Sequence, residues 1–236
     1  MITLPTKEEL TEGCFFYINK PYGWTSFDVV NRVRGLLCRF IGEKKLKVGH
    51  AGTLDPLATG VMIVCTGRAT KQIEQLQNGE KEYVATMEVG ATTPSFDREH
   101  PIDARYPTTH ITRELIETVL EQFRGNVLQV PPVYSAVKVN GKRAYHYARQ
   151  GSMVEIKPKE LVISEIEIVD WTMPFLTLRI VCSKGTYIRA LARDIGRALQ
   201  SGAYLTALQR TRVGSVMLAQ CQTIDTLVET YTVKSY

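Results

Sequence analysis

Residues 48–60 have the sequence VGHAGTLDPLATG, and the apolar run VMIVC follows at residues 61–65. Asp55 is the acidic residue of this stretch. Its glycines permit backbone angles closed to other residues, and Pro56 stiffens the chain directly after the acid. The stretch therefore predicts a constrained loop that holds the Asp55 carboxylate at a fixed point. The alternative is an Asx turn or helix cap, in which the carboxylate only accepts backbone N–H bonds.

An arginine that could keep such a carboxylate ionised lies in the segment LTLRIVCSKGTYIRALARDIG, residues 176–196. This segment predicts a strand, a tight turn at Gly185 and a helix with Arg189 in its first turns. A guanidinium there can form a forked pair with a carboxylate. The alternative is a surface arginine on a polar stripe with Arg193 and Arg197, and the spacing leaves both interpretations open.

Hydrophobic spacing predicts the elements that position these residues. Apolar residues at helical spacing up to Phe40 follow the capping-box-like TSFD at 25–28, which predicts an amphipathic helix. Two further helices are predicted at 112–124, where Gly125 stops the helix, and at 187–199. Alternating patterns predict strands over Tyr83–Val89 and Leu176–Cys182. The irregular order of helices and strands predicts the α+β class.

Composition limits the class of protein. The 236 residues are 44% hydrophobic, which is enough for a substantial core. The five cysteines show no short pairing, so we expect buried, reduced thiols and a cytoplasmic protein. A secretion signal and a run able to cross a bilayer are both lacking, so we expect no membrane partner. Because repeats and linkers are also lacking, we expect a single domain over residues 1–236. We also expect a monomer.

The formal net charge is +5, which is compatible with a polyanion partner. Basic and aromatic residues interleave in KVNGKRAYHYARQG at 138–151, a mixture that suits a phosphate backbone with bases that can stack. The alternative is a solvated loop and helix face with tyrosines packed beneath. The sequence contains no clustered His and Cys set, no P-loop and no dinucleotide fingerprint, so we expect neither a metal nor a cofactor.

Several segments, in this order, carry a resemblance to a known family. They are KPYGWTS (20–26), KVGHAGTLDPLATGVMIVCTGRATK (47–71), KEYVATMEVGATTPSFD (81–97), PPVYSAVKVNGKRAYHYARQG (131–151), CSKGTYIRALARDIG (182–196) and LQRTRVGSV (208–216). Together they resemble the tRNA pseudouridine-55 synthase family of the TruB type. The resemblance implies the pseudouridine synthase fold, a mixed, mainly antiparallel central sheet flanked by helices. It also implies isomerisation of a T-loop uridine without a cofactor or metal.

The resemblance also implies roles for individual residues. Asp55 matches the catalytic aspartate and Arg189 the arginine that pairs with it. Tyr83 matches the aromatic residue that stacks on the flipped base and takes part in proton transfer; the alternative is a strand tyrosine in the core. His50 matches a histidine that holds the flipped-out target loop, with a structural histidine as the alternative. Lys20 matches a position that supports the loop near the pocket, and we group it with the RNA-binding residues.

The implied partner is the T-stem-loop of tRNA. The cationic residues expected to contact its phosphates are Lys142, Arg143, Arg149, Arg210 and Arg212. Extruding the target base from its stack would cost a few kcal/mol of free energy, and stacking of that base on Tyr83 would partly offset the cost.

The sequence departs from the family pattern at two places. Only 22 residues follow Gly214, too few for the further RNA-binding domain that members commonly carry. We therefore expect no such domain, a tail of one helix or strand at most, and recognition through the T-arm alone. Glu99 and His100 also follow Asp97 where a glycine is more usual, so the loop there is expected to differ.

Three rival functions remain open at this point. They are a catalytically silent RNA chaperone of the same fold, a nucleoside hydrolase or transferase for small molecules, and a guide-RNA-dependent relative. The presence of Asp55, Tyr83 and Arg189 together argues against the first, and the extended basic segment argues against the second. The short tail argues against the third.

Overall fold

The computed structural model describes residues 4–139, 141–152 and 154–232, and it describes no side chains for residues 148 and 149. Within these ranges the helices are α1 (Lys7–Glu12), α2 (Ser26–Phe40), α3 (Ile73–Asn78), α4 (Arg113–Glu121), α5 (Ala144–Arg149), α6 (Ile188–Ala198) and α7 (Ile224–Thr232). The strands are β1 (Phe15–Lys20), β2 (Val48–His50), β3 (Ala58–Thr66), β4 (Lys81–Val89), β5 (Ala91–Thr92), β6 (Ala104–Arg105), β7 (Gly125–Gln129), β8 (Lys138–Val139), β9 (Lys142–Arg143), β10 (Lys159–Thr172), β11 (Phe175–Cys182), β12 (Ala203–Val213) and β13 (Val216–Met217). Two short 3₁₀ helices complete the elements, Gly67–Gln72 and Leu218–Gln220.

Local sequence explains why α2 forms where it does. The Thr25 hydroxyl accepts a hydrogen bond from the Asp28 amide, and the Asp28 carboxylate accepts one from the Thr25 amide. This capping box satisfies amides that the first helical turn leaves without partners. The predicted helix and its cap are confirmed.

The chain divides into two compact units. Unit 1 comprises the residues up to Lys81 and those from Gln209 onward. In this unit β3 pairs antiparallel with β1 and with β2, and β3 also neighbours β12, which pairs with β13. The buried face of α2 packs on this layer, with Val33 and Leu37 in one cluster with Ile18 and Met62. One part of the core of unit 1 therefore lies between α2 and β1–β3, and a second buried cluster includes Val61 and Ile63 of β3 with Val213 of β12.

The C-terminal tail contains more structure than the sequence predicts. The expectation of one helix or strand at most is wrong, because β13, a 3₁₀ helix and α7 follow one another after Gly214. Gln222 forms a parallel bridge with Ile18 of β1, in which its carbonyl accepts from the Asn19 amide and its amide donates to the Tyr17 carbonyl. In α7 Leu227 is fully buried, and the Tyr231 ring meets the Phe40 ring edge-on at 5.0 Å. The tail is thus part of the core of unit 1.

Unit 2 comprises Glu82–Leu208. Its strands follow the order β12, β4, β11, β10, β7, and the β11–β10 and β10–β7 pairs are antiparallel. Burial alternates along β4 as the sequence predicts, and the predicted strand at 176–182 lies within β11. The α+β class and the mainly antiparallel sheet with helices are confirmed.

The helices predicted in unit 2 are also confirmed, with one shorter than expected. Helix α6 lies within the predicted range, whereas α4 ends at Glu121 rather than at residue 124. Residues 122–124 instead form successive turns that bond three residues back. They lead into β7 at Gly125, whose φ of 80° favours glycine. The expectation of a single domain over residues 1–236 stays a prediction.

In the part of the chain that the structure describes, no helix is both long enough and apolar enough to cross a membrane.

Leu227→Ala is expected to lower the free energy of unfolding by about 2–5 kcal/mol, because it removes a fully buried side chain from the core of unit 1. Denaturant unfolding measures the change. The exposed Glu229 on the same helix provides the control, and Glu229→Ala should change stability by no more than about 0.5 kcal/mol. Equal effects of the two variants would show that α7 is not part of the core.

Candidate active site

Asp55 lies in the loop of residues 51–57, which connects β2 to β3 and is called the Asp55 loop below. Gly52 has a φ of 104°, a conformation that favours glycine. The Asp55 carbonyl accepts a hydrogen bond from the Ala58 amide at 3.1 Å, which closes the turn into β3. The predicted loop is confirmed, and the apolar run at 61–65 that follows it lies within β3.

The start of α2 holds one side of the Asp55 loop. The Ser26 hydroxyl donates to the Leu54 carbonyl at 3.0 Å and accepts from the Leu54 amide at 2.9 Å. The Gly23 amide donates to the Pro56 carbonyl at 2.9 Å. The backbone on both sides of Asp55 is therefore bonded to the segment before and at the start of α2. Ser26 is not predicted from the sequence as a support of this loop, because its neighbour Thr25 accounts for the capping pattern.

Lys20 holds the same region from the end of β1. Its side chain has 0% exposure, and its ammonium donates to the carbonyls of Pro21 at 2.8 Å, Trp24 at 2.6 Å and Pro56 at 3.2 Å. Burial lowers the pKa of Lys20 to about 8, while the negative charge of Asp55 opposes that shift. The buried ammonium thus supports the Asp55 loop, as the family resemblance implies for Lys20. Its RNA-binding assignment stays a prediction.

Arg210, on β12, corrects another expectation. We expected a phosphate contact, but the side chain is 1% exposed. Its guanidinium donates to the carbonyls of Val61 at 2.8 Å, Gly52 at 3.1 Å and Thr53 at 3.4 Å. Arg210 is thus a buried support of the Asp55 loop. Gly60 carried a signal for this packing, because a Cβ there would collide with the backbone of Arg210.

The remaining two RNA-binding candidates of unit 1, His50 and Arg212, differ from Arg210. His50 ends β2 and is half-buried, and burial lowers its pKa. A neutral imidazole can stack or form hydrogen bonds, but it does not attract phosphate by charge. Arg212 is half-buried and donates to the Gly214 carbonyl at 3.2 Å. The RNA contacts of both residues stay predictions.

Arg189 lies in the first turn of α6 and is 6% exposed, so the alternative of a polar surface stripe is wrong. The guanidinium donates to the carbonyls of Ser95 at 3.1 Å and Tyr134 at 3.0 Å. Its Nε lies 3.5 Å from Oδ2 of Asp97, an ion pair that is buried on both sides. Arg193, one turn later, is also buried and bonds to Asp194 and the Val130 carbonyl.

The loop around Asp97 is organised by its own hydrogen bonds. One carboxylate oxygen of Asp97 accepts from the Ser95 hydroxyl at 2.6 Å and from the Glu99 amide at 3.0 Å. The His100 ring packs against Tyr134 with centroids 4.8 Å apart. Glu99 and His100 thus have defined places beside the residues that hold Arg189. Asp97 is a partner of Arg189 that is not predicted from the sequence.

Tyr83 lies on β4 and is buried on the same face as Ala85 and Met87. That burial agrees with the core alternative for its ring. Asp55 belongs to unit 1, whereas Tyr83 and Arg189 belong to unit 2. The catalytic set of these three residues therefore stays a prediction.

The basic segment at 138–151 forms a small hairpin and a helix. Lys138 of β8 is paired with Arg143 of β9, and α5 follows directly. Lys142 and Arg143 are exposed, as phosphate contacts must be. The Tyr147 hydroxyl donates to the Val139 carbonyl at 3.4 Å, as the packed-tyrosine alternative expects. The side chain of Arg149 lies outside the described part of the structure.

Comparison with known proteins gives a consistent family. Residues 39–188 match the model described as TruB family pseudouridylate synthase (N terminal domain), and residues 189–235 match the tRNA pseudouridylate synthase B C-terminal domain. A Bacteroides fragilis protein named tRNA pseudouridine synthase B is 66% identical over 210 residues, covering 89% of this chain and 90% of that protein. A Phocaeicola vulgatus protein of the same name is 62% identical, covering 92% of this chain and 93% of its own length.

A solved structure shares the fold. A chain in the crystal structure of a Cbf5-Nop10-Gar1 complex aligns over 97% of this chain with a TM-score of 0.72 and 28% identity. This chain spans 57% of the length of that subunit.

Arg210→Lys is expected to lower the free energy of unfolding by about 1–3 kcal/mol, because one ammonium nitrogen cannot replace three guanidinium nitrogens that each bond a different carbonyl. Amide hydrogen exchange should also rise at Leu54 and Ala58. Arg212→Lys, two residues away on the same strand, is the matched control and should change neither quantity appreciably. An Arg212→Lys effect as large as that of Arg210→Lys would contradict the assignment.

Proposed function

The chain belongs to the TruB family of pseudouridylate synthases, and we propose that it isomerises the uridine at position 55 in the T-loop of tRNA, with Asp55 as its catalytic carboxylate. The observation behind the role of Asp55 is the set of hydrogen bonds that hold the backbone of its loop. Buried side chains on two other elements, Lys20 and Arg210, bond the backbone carbonyls around it. A carboxylate presented at a fixed point suits attack at one defined carbon.

In the proposed reaction the bond from uracil N1 to ribose C1′ breaks and a bond from uracil C5 to C1′ forms. The proton on C5 is released to water, and N1 gains one, so no oxidant or reductant is consumed. Asp55 acts at the glycosidic carbon as a nucleophile or as an electrostatic base. A hydrolytic glycosidase uses a second carboxylic acid to protonate its leaving group. One carboxylate suffices here because the detached uracil stays bound.

The base must leave its stack before Asp55 can reach the glycosidic bond, which costs a few kcal/mol. Tyr83 offsets part of this cost by stacking on the flipped base and takes part in the proton transfer. Arg189 pairs with the Asp55 carboxylate. The existing bonds of Arg189 to Ser95, Tyr134 and Asp97 support this role, because they hold the guanidinium in one orientation.

The partner is the T-stem-loop of tRNA. Lys142, Arg143, Arg149 and Arg212 contact its phosphates, and His50 helps to hold the flipped-out loop. The exposure of Lys142 and Arg143 on the β8–β9 hairpin supports the first assignment. We further propose that the protein acts as a monomer in the cytoplasm, where its free cysteines stay reduced.

Asp55→Asn is expected to abolish pseudouridine formation and to retain T-stem-loop binding within a few-fold, because the amide keeps the shape of the side chain without the nucleophile. Tritium release from 5-tritiated uridine in RNA measures turnover. The wild-type chain should act on whole tRNA and on the isolated T-stem-loop with kcat/KM values within about tenfold, equivalent to ~1.4 kcal/mol. Free uridine should not react.

Three other outcomes would contradict the proposal in different ways. Wild-type turnover in Asp55→Asn would show that Asp55 is not the catalytic carboxylate. Turnover of free uridine would indicate a small-molecule enzyme. RNA binding without turnover by the wild-type chain would indicate a silent RNA-binding protein.

Tyr83→Phe is expected to retain RNA binding and slow the single-turnover rate, because stacking survives while the hydroxyl is lost. Arg189→Lys should also slow that rate, because an ammonium cannot form a forked pair. Arg193→Lys is the matched control, a buried arginine one turn later on α6 that is assigned no role in catalysis. If Arg193→Lys and Arg189→Lys slow the rate equally, the effect comes from the packing of α6.

A further inference from the structure

Side chains along α2 contact the Asp55 loop at the start of the helix and β2 two turns later. Ser26, at the start of the helix, bonds to Leu54 of the loop. Phe27, Asn31 and Arg34 then fall on one row at helical spacing. The Arg34 guanidinium donates to the Asn31 side chain at 2.8 Å and to the Val48 carbonyl of β2 at 3.2 Å.

Two aromatic rings are exposed at the loop end of this row. Phe27 is 65% exposed and Tyr22 is 59% exposed. Tyr22 precedes Gly23, whose amide bonds to Pro56 of the Asp55 loop, and Phe27 follows Ser26. Both rings therefore belong to backbone that the Asp55 loop holds in place. The apolar face of α2 already packs in the core without Phe27, so core packing does not account for this ring.

Exposed lysines lie next to the other end of the row. Lys44, Lys45 and Lys47 precede or flank Val48, the first residue of β2. The Lys47 carbonyl accepts from the Gly67 amide at 2.9 Å, which fixes the backbone there. Glu43, the neighbouring acid, forms an ion pair with Lys7. This end of the row therefore has a net positive charge, which comes from the three exposed lysines.

We propose that Tyr22, Phe27 and the lysines at 44, 45 and 47 form a second RNA-binding surface, on which unpaired bases near the target uridine stack and neighbouring phosphates bind. The inference rests on the proposed function, because it takes the RNA held at Asp55 as the occupant. Aromatic rings beside cationic side chains are the combination that binds single-stranded RNA, whereas an apolar protein partner would not call for the lysines. All of these residues belong to unit 1, and the surface is thus additional to the β8–β9 hairpin of unit 2.

The test measures binding of a fluorescent T-stem-loop RNA by anisotropy at several salt concentrations, with every substitution made in the full-length Asp55→Asn chain. Phe27→Ala and Tyr22→Ala should each weaken binding roughly tenfold with an unchanged salt slope, because they remove stacking. Lys47→Ala should weaken binding and make the salt slope shallower by about one unit.

Matched controls lie in the same unit. Phe15→Ala removes another exposed aromatic ring, and Arg32→Ala removes an exposed charge from α2 about 140° around the helix from Phe27. Neither control should change the affinity or the salt slope. Thermal unfolding of each variant confirms that the chain is folded.

Parent-like binding of both aromatic variants, or equal losses in the controls, would overturn the proposal. Failure of the proposed function is a separate observation, because it appears as absent tritium release by the chain with Asp55 intact, whereas the binding comparison does not depend on turnover. With Asp55 intact, Phe27→Ala should raise the RNA concentration for half-maximal single-turnover rate and leave the rate at saturation unchanged.

Discussion

The arrangement of the candidate site depends on the hydrogen bonding of one loop backbone. A loop has no ladder partners, so its buried carbonyls must find donors elsewhere. In the Asp55 loop those donors are the ammonium of Lys20, the hydroxyl of Ser26 and the guanidinium of Arg210. Burying two cations is costly, and the carbonyl bonds offset much of that cost. The result is a carboxylate on a loop whose backbone is tied to β1, α2 and β12.

In unit 2, side chains of helix α6 donate hydrogen bonds to buried carbonyls of loops in a similar way. Arg189 and Arg193 lie one turn apart on α6, and both are buried with their guanidinium groups bonded to loop carbonyls. Arg189 bonds to the segments at 95–97 and 134, and Arg193 bonds at 130. Two irregular segments are thus attached to one rigid element. A buried charge with several fixed acceptors has few alternative orientations, which suits a residue proposed to pair with the catalytic carboxylate.

The tail shows how few residues are needed to complete a core. Gln222 bonds along β1, and α7 then buries Leu227 and Tyr231 against the same layer that α2 covers. A strand edge with unpaired backbone groups invites association with other chains, and here backbone bonds occupy part of that edge. The last residues before the end of the described chain therefore contribute to the packing of unit 1.

Local sequence patterns were enough to predict the elements with a clear hydrophobic period and the loop with a distinctive composition. Spacing predicted α2, α6, β4 and β11, and the glycines and Pro56 predicted the Asp55 loop, because these patterns are local in the chain. The groups that Arg210, Arg189 and Ser26 bind depend instead on contacts between segments far apart in the chain. Arg210 and its acceptor Val61 are 149 positions apart, and Arg189 and Ser95 are 94 apart. Whether an arginine faces solvent or a carbonyl depends on which strands and helices pack beside it, and residue type and local spacing do not encode that packing.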